Sequence, residues 1–128
     1  FSHEYRFVLP IHPNPNVQKH RNLLEHVEVI DPVPYEKFLE MLASCSYVIT
    51  DSGGLQEETS FLGKRSIVCR KTTERPEGLG EFSVLCHEPE QLFEMFKSMR
   101  HAPDPKGKCP YGDGQSAEKI VNILLEGL

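Results

Sequence analysis

The chain reads as an α/β domain with a doubly wound parallel sheet, and three observations carry that reading. Short β-rich runs alternate with helix-compatible segments from one end to the other, which is the order of a parallel sheet covered by helices. The first run, Tyr5 to Ile11, is almost continuously apolar, as expected of a strand buried on both faces. A glycine turn, Asp51-Ser52-Gly53-Gly54, follows the apolar run Tyr47-Val48-Ile49 and opens a polar, helix-compatible stretch. Strand, glycine turn and helix N-terminus in that order are the parts of an anion-binding βα unit.

Each element has its own local signal. Tyr5 to Ile11 is a strand, broken by His12-Pro13-Asn14-Pro15-Asn16, whose prolines and asparagines predict a rigid loop. Val17 to Leu24 is expected to be a helix and Val27 to Ile30 a short strand stopped by Asp31-Pro32. Pro34 to Ser44 carries Phe38, Leu39, Met41 and Leu42 at helical spacing, with Pro34 suited to a first turn. Tyr47 to Thr50 is a strand, Leu55 to Leu62 a helix stopped by Gly63, and Ser66 to Cys69 a strand. Thr72 to Gly80 is a loop, Ser83 to Cys86 a strand, and Pro89 to Met99 an amphipathic helix. Asp104 to Gly114 is a proline- and glycine-rich loop. Ser116 to Leu125, with Ile120, Val121, Ile123, Leu124 and Leu125, is a final helix.

At 128 residues the whole chain is expected to be a single domain with its own core. Its 38% apolar and 26% charged residues are ordinary for a globular protein. A net charge of −5 argues against a protein that neutralises many phosphates, so no nucleic acid is expected as a partner. Lys64, Arg65, Arg70, Lys71 and Arg75 cluster with Glu74 the only acidic residue among them. They read either as a patch for a small anion or as a solvated run. Cys45, Cys69, Cys86 and Cys109 have no zinc or Cys-x-x-Cys spacing. The first three sit beside apolar residues and are expected to be reduced core cysteines, which suits a cytoplasmic location. No apolar run reaches the ~20 residues of a membrane span, so no membrane is expected. The chain starts at Phe1 rather than Met, which suggests missing upstream sequence.

The residues that can carry chemistry follow predicted strands. Ser52, Gly53 and Gly54 offer free N–H groups at a helix N-terminus, where the helix dipole favours an anion; Ser52 also suits a plain N-cap. An acidic residue one turn into that helix can accept hydrogen bonds from a pair of hydroxyls such as a ribose diol. His12, held by a proline–asparagine loop, suits a general acid or a phosphate ligand, or a capping histidine. His3, His20, His26, His87 and His101 read as structural or solvated. In Thr72-Thr73-Glu74-Arg75-Pro76-Glu77, Arg75 is suited to fork-like phosphate recognition, while Lys64 and Arg65 read as exposed cations at a helix end. Phe38 suits stacking on a flat ring, or a core position. Tyr111-Gly112-Asp113-Gly114 reads only as a turn. The loops at His12, Val33, Ser52 and Thr72 are expected along one rim of the sheet, beyond the strands' C-terminal ends, where such folds bind ligands. No serine–histidine–acid triad, metal constellation, phosphate-loop pattern or three-glycine dinucleotide pattern is visible, and no cofactor is implied.

Five ordered blocks resemble one family: His12-Pro13-Asn14-Pro15-Asn16-Val17, Thr50-Asp51-Ser52-Gly53-Gly54-Leu55-Gln56-Glu57-Glu58, Leu62-Gly63-Lys64, Thr72-Thr73-Glu74-Arg75-Pro76-Glu77 and Pro110-Tyr111-Gly112-Asp113-Gly114. The family is the non-hydrolysing UDP-N-acetylglucosamine 2-epimerases, with their hydrolysing relatives in sialic acid synthesis. The resemblance covers nearly the whole chain but only the C-terminal half of that family. It implies one Rossmann-like domain of a GT-B-type two-domain fold, with an absent N-terminal catalytic domain as its partner, in an enzyme expected to be a homodimer. It implies that Ser52, Gly53 and Gly54 hold the UDP diphosphate, that Glu58 accepts from the ribose hydroxyls and that Phe38 lies against uracil. It further implies that backbone near Val33 contacts the uracil edge, that Arg75 reaches the diphosphate and that His12 is the active-site histidine. Two departures stand out: Gly78 to Ser83 is slightly shorter than the family's usual run, and Arg65 stands where proline is common.

The family's reaction eliminates UDP from UDP-N-acetylglucosamine to give a 2-acetamidoglucal, then adds UDP back on the other face. The resemblance therefore implies an isomerase acting in cell-surface polysaccharide biosynthesis. The half that holds departing UDP matches this chain; the groups that handle the C2 proton belong largely to the other half. The alternatives are a hydrolysing epimerase releasing N-acetylmannosamine and UDP, a solitary nucleotide-sugar-binding module without catalysis, and the donor half of a GT-B glycosyltransferase.

Overall fold

The computed structural model describes residues 4–127 and divides into two compact units, Phe1–Glu40 and Met41–Leu128. The fold is α/β and Rossmann-like, with parallel strand pairing throughout and helices between the strands. The predicted His3 lies outside the described residues.

In the first unit, β1 (Val8–Pro10) pairs in parallel with β2 (Glu28–Ile30). The strand predicted from Tyr5 is shorter than expected at both ends, although the Ile11 N–H extends the pairing to the Ile30 carbonyl at 3.0 Å. Ile11 is fully buried. A helix over Val17 to Leu24 does not form. The short α1 (Pro15–Gln18) starts earlier, followed by a 3₁₀ turn at Arg21–Leu23. Asn14 is the reason for the early start: its side chain accepts from the Asn16 N–H at 2.9 Å, and Pro15 occupies the first turn, where its missing N–H costs nothing. The segment buries none of its residues, so no packing extends so short a helix. The helix α2 (Tyr35–Ser44) begins in this unit and follows β2 after Val33.

In the second unit, β3 (Tyr47–Thr50), β4 (Arg65–Val68) and β5 (Ser83–Leu85) form a parallel sheet in that order. Its centre is β4, with Ser66, Ile67 and Val68 all fully buried. The helix α3 (Gly53–Phe61) joins β3 to β4, and Gly63 follows its end at φ +66°. The helix α4 (Leu92–Met99), preceded by a 3₁₀ turn at Pro89–Gln91, packs against β4. It inserts Phe96 and Met99 at i,i+3 spacing, and the Phe96 ring lies 5.3 Å from the Tyr47 ring, tilted by 60°, a favourable aromatic arrangement. Leu42, Phe82 and Cys86 complete this core.

Three expectations change here. Cys86 is buried, but Cys69 is exposed and Cys45 only half-buried, because Cys69 lies just past the last paired residue of β4. Arg65 is not a helix-end cation: it opens β4, and its Nε donates to the Pro103 carbonyl at 2.6 Å. The loop it meets is tied again by Glu81, whose carboxylate accepts from the Lys106 N–H at 3.0 Å and the Gly107 N–H at 2.6 Å. The final helix α5 (Ser116–Glu126) forms as predicted, with Ile120, Val121, Ile123, Leu124 and Leu125 exposed.

Ser66 and Ser83 face each other across β4 and β5; both are buried and neither hydroxyl has a hydrogen-bond partner. An unpartnered buried hydroxyl is a net cost. Ser66→Ala is therefore expected to stabilise the chain by about 1 kcal/mol, read as a higher urea midpoint at unchanged slope. A midpoint that falls by that amount would show the hydroxyl to be bonded.

Candidate functional site

The second unit builds a small polar site at the C-terminal ends of β3 and β4. Thr50, the last residue of β3, is buried and fixes the turn with two groups. Its carbonyl accepts from the Cys69 N–H at 2.7 Å, which keeps β3 and β4 in register to their ends. Its hydroxyl accepts from the Ser52 N–H at 3.0 Å. Ser52 then caps α3 in extended conformation, its hydroxyl accepting from the Leu55 N–H at 3.4 Å. The helix starts at Gly53, earlier than the predicted Leu55, so both glycines belong to its first turn. Their N–H groups have no carbonyl one turn back within the helix, and the helix dipole adds positive potential beside them.

Arg75 covers this turn. It comes from the loop after β4, and its Nη1 and the Glu74 carboxylate stand where a Cβ on Gly53 would have to be. Glycine is required here for close approach, not only for the turn. Arg75 Nε donates to Glu57 on α3, and its Nη1 donates to Glu74. The Glu57 carboxylate, by that hydrogen bond, raises the Arg75 guanidinium above its ordinary value. Glu74 is held below the ordinary glutamate value, first by the hydrogen bond from its own backbone N–H and then by Arg70, whose Nη1 donates to it at 2.7 Å. Neighbouring Glu58 is half-buried on α3; it leaves the helix about 100° around from Glu57.

The loop that carries Arg75 is anchored from both sides. On α3, fully buried Gln56 holds its amide 3.0 Å from the Thr73 hydroxyl, and that oxygen accepts from the Arg75 N–H at 3.1 Å. From the other side, the Tyr111 hydroxyl donates to the Arg75 carbonyl at 2.9 Å and accepts from the Gly78 N–H at 3.0 Å. Burial raises the Tyr111 phenol above its ordinary value, so it stays a donor through neutral pH.

The basic cluster seen in sequence is not a bare patch. Arg70 and Arg75 share Glu74, Arg75 adds Glu57, and Lys71 pairs with Glu88 at 3.7 Å. Glu57 and Glu88 are remote in sequence from the cations they meet. Thr50, Gln56, Glu57, Thr73, Glu74 and Tyr111 are site residues that sequence reasoning left without a role; only their membership of the motif blocks pointed to them.

In the first unit, His12 and Val33 follow the adjacent parallel strands β1 and β2, and Phe38 lies half-buried on α2. His12 is exposed; its Nδ1 accepts from the Asn14 N–H at 3.1 Å, and its carbonyl accepts from Gln18 Nε2 at 3.0 Å. The ring is thereby oriented by its own loop, with Nε2 left for other partners. Of the other histidines, His87 Nδ1 lies 3.0 Å from the Lys71 carbonyl, a structural contact.

The sequence profile described as UDP-N-acetylglucosamine 2-epimerase matches residues 1–125. Curated relatives include the UDP-N-acetylglucosamine 2-epimerase of Campylobacter jejuni, 38% identical over 94% of this chain and 34% of its own length. That of Bacillus subtilis is 36% identical over 95% and 35%. Among solved structures, S. aureus MnaA with UDP superposes with a TM-score of 0.86 at 29% identity, over 97% of this chain and 37% of its own. The Methanocaldococcus jannaschii UDP-GlcNAc 2-epimerase with UDP-GlcNAc and UDP gives 0.84 at 30%, over 97% and 36%. The chain spans about a third of the length of the relatives it matches.

Two outcomes test the geometry. Gly53→Ala should leave the fold intact, since what it displaces are the ends of flexible side chains. It should, however, remove the Arg75–Glu57 bond, read as loss of the Arg75 Nε–H resonance in the proton spectrum; an unmoved resonance would contradict the packing described. Glu74 should titrate below the ~4.3 of an ordinary glutamate. A depressed carboxyl contributes stability that is complete above the unfolded value and lost as pH falls through the folded one. In a carbon-detected titration, Arg70→Ala should move the Glu74 midpoint upward.

Proposed function

Because the chain belongs to the UDP-N-acetylglucosamine 2-epimerase family, we propose that it is the UDP-binding part of the C-terminal half of such an enzyme. In this reading the enzyme interconverts UDP-N-acetylglucosamine and UDP-N-acetylmannosamine, and the other half supplies the groups that handle the C2 proton. The observation that carries the reading is Arg75 lying over Gly53 at the start of α3. A diphosphate needs donors set in place before it arrives, and a helix N-terminus with a guanidinium beside it is such a set.

The chemistry asks for that preorganisation. The C2 proton of the sugar is not acidic, since no carbonyl adjoins it. Elimination of UDP breaks the C1–O bond, the C2 proton leaves to a base of the other half as the C1=C2 bond forms, and negative charge develops on the departing diphosphate. Donors aimed at those oxygens stabilise the charge where it appears and keep UDP in place for its return. Ser52, Gly53, Gly54 and Arg75 take that role, Glu58 accepts from the ribose hydroxyls, Phe38 stacks on uracil and backbone near Val33 meets the uracil edge. His12 acts near the phosphate and sugar. An anion entering the turn has to compete with Glu57 and Glu74 for Arg75, so binding is expected to rearrange those ion pairs.

Calorimetric titration of the 128-residue chain with UDP tests this. Saturable binding is expected, and Glu58→Ala should weaken it by roughly 1.5–3 kcal/mol, the range of a lost charged hydrogen bond. Ser52→Ala/Glu58→Ala should abolish it. Affinity unchanged by both substitutions would remove the α3 N-terminus from the nucleotide site.

A further inference from the structure

Tyr111 comes from the Pro110–Gly114 turn, a segment to which the proposed function assigns no part in UDP binding. Its one polar atom is fully used, donating to the Arg75 carbonyl and accepting from the Gly78 N–H. Arg75 has φ −125° and ψ 65°, which belongs to neither helix nor strand, so no regular ladder holds its backbone. Two side chains do so instead: Thr73, backed by buried Gln56, takes the Arg75 N–H, and Tyr111 takes its carbonyl. The approach is close enough that a Cβ on Gly78 would sit 2.7 Å from the Tyr111 hydroxyl. A long side chain is aimed only as well as its own Cα is fixed, and Arg75 must reach across to α3 to stand over Gly53.

We propose that Tyr111 is a positioning residue for the anion-binding arginine: by fixing the Arg75 carbonyl and the Gly78 amide, its hydroxyl sets the Arg75 guanidinium over the Gly53 turn. The proposal deepens the UDP-binding reading and rests on it. Its hydroxyl is engaged with the Arg75 carbonyl and the Gly78 amide, so its effect on binding passes through Arg75.

That indirectness makes it testable. UDP affinity is measured by calorimetry for the parent chain, Tyr111→Phe, Arg75→Ala and the double variant, with thermal midpoints alongside. Tyr111→Phe keeps the ring and its packing and deletes only the hydroxyl. It should weaken UDP binding about three- to tenfold, the scale of one lost hydrogen bond, and change affinity less than about twofold once Arg75 is alanine. An equal loss in both backgrounds would show a general structural effect and overturn the proposal. So would unchanged affinity in Tyr111→Phe while Arg75→Ala weakens binding. If Arg75→Ala does not weaken binding, it is Arg75 as a UDP ligand that fails. The positioning is then decided by the Arg75 Nε–H resonance, which Tyr111→Phe shifts or broadens if Tyr111 sets the guanidinium and leaves unchanged if it does not.

Discussion

The parallel pairing of Tyr47–Thr50 with Arg65–Val68 is the constraint on which the polar site depends. Because the two strands run in the same direction, their C-terminal ends lie side by side. The chain leaving one becomes the Ser52 turn, and the chain leaving the other becomes the loop that carries Arg75. Thr50 holds this junction with its carbonyl on the Cys69 N–H and its hydroxyl on the Ser52 N–H. An antiparallel pair would put those two exits at opposite ends of the sheet, and no length of loop chemistry would then bring a guanidinium onto that helix start.

Charge at the site is balanced rather than simply positive. The helix dipole and Arg75 favour an anion, while Glu57 and Glu74 occupy the guanidinium. These pairs are partly exposed, and such pairs contribute little to stability. Their role is geometric: they hold a flexible cation in one place. An acidic chain with a net charge of −5 can in this way present a helix N-terminus and one aimed cation to an anion without a broad basic surface.

Much of this was legible in the residues. Tyr47-Val48-Ile49-Thr50 followed by Asp-Ser-Gly-Gly predicts strand, turn and helix because each local preference agrees with the next. The β3 boundaries match residue for residue. The misses share a cause. Val17 to Leu24 has helical composition but buries nothing, so only the Asn14-capped turn and a 3₁₀ turn form. Cys69 sits beside apolar residues in sequence yet falls one position past the paired strand, where the cover ends. Burial belongs to position in the sheet, and neighbours along the chain report it only indirectly.

The α/β class, the parallel order of elements, the glycine turn and the family were determined by the sequence itself, because they rest on periodicity, backbone preferences and motif blocks that each occupy a few consecutive residues. Only the tertiary structure decided that Arg75 lies over Gly53, that Glu57 captures it, and that Gln56 with Thr73 and Tyr111 pin its backbone from two sides. Those contacts join residues up to 36 positions apart. No local signal encodes them, since each joins segments that only the folded chain brings together.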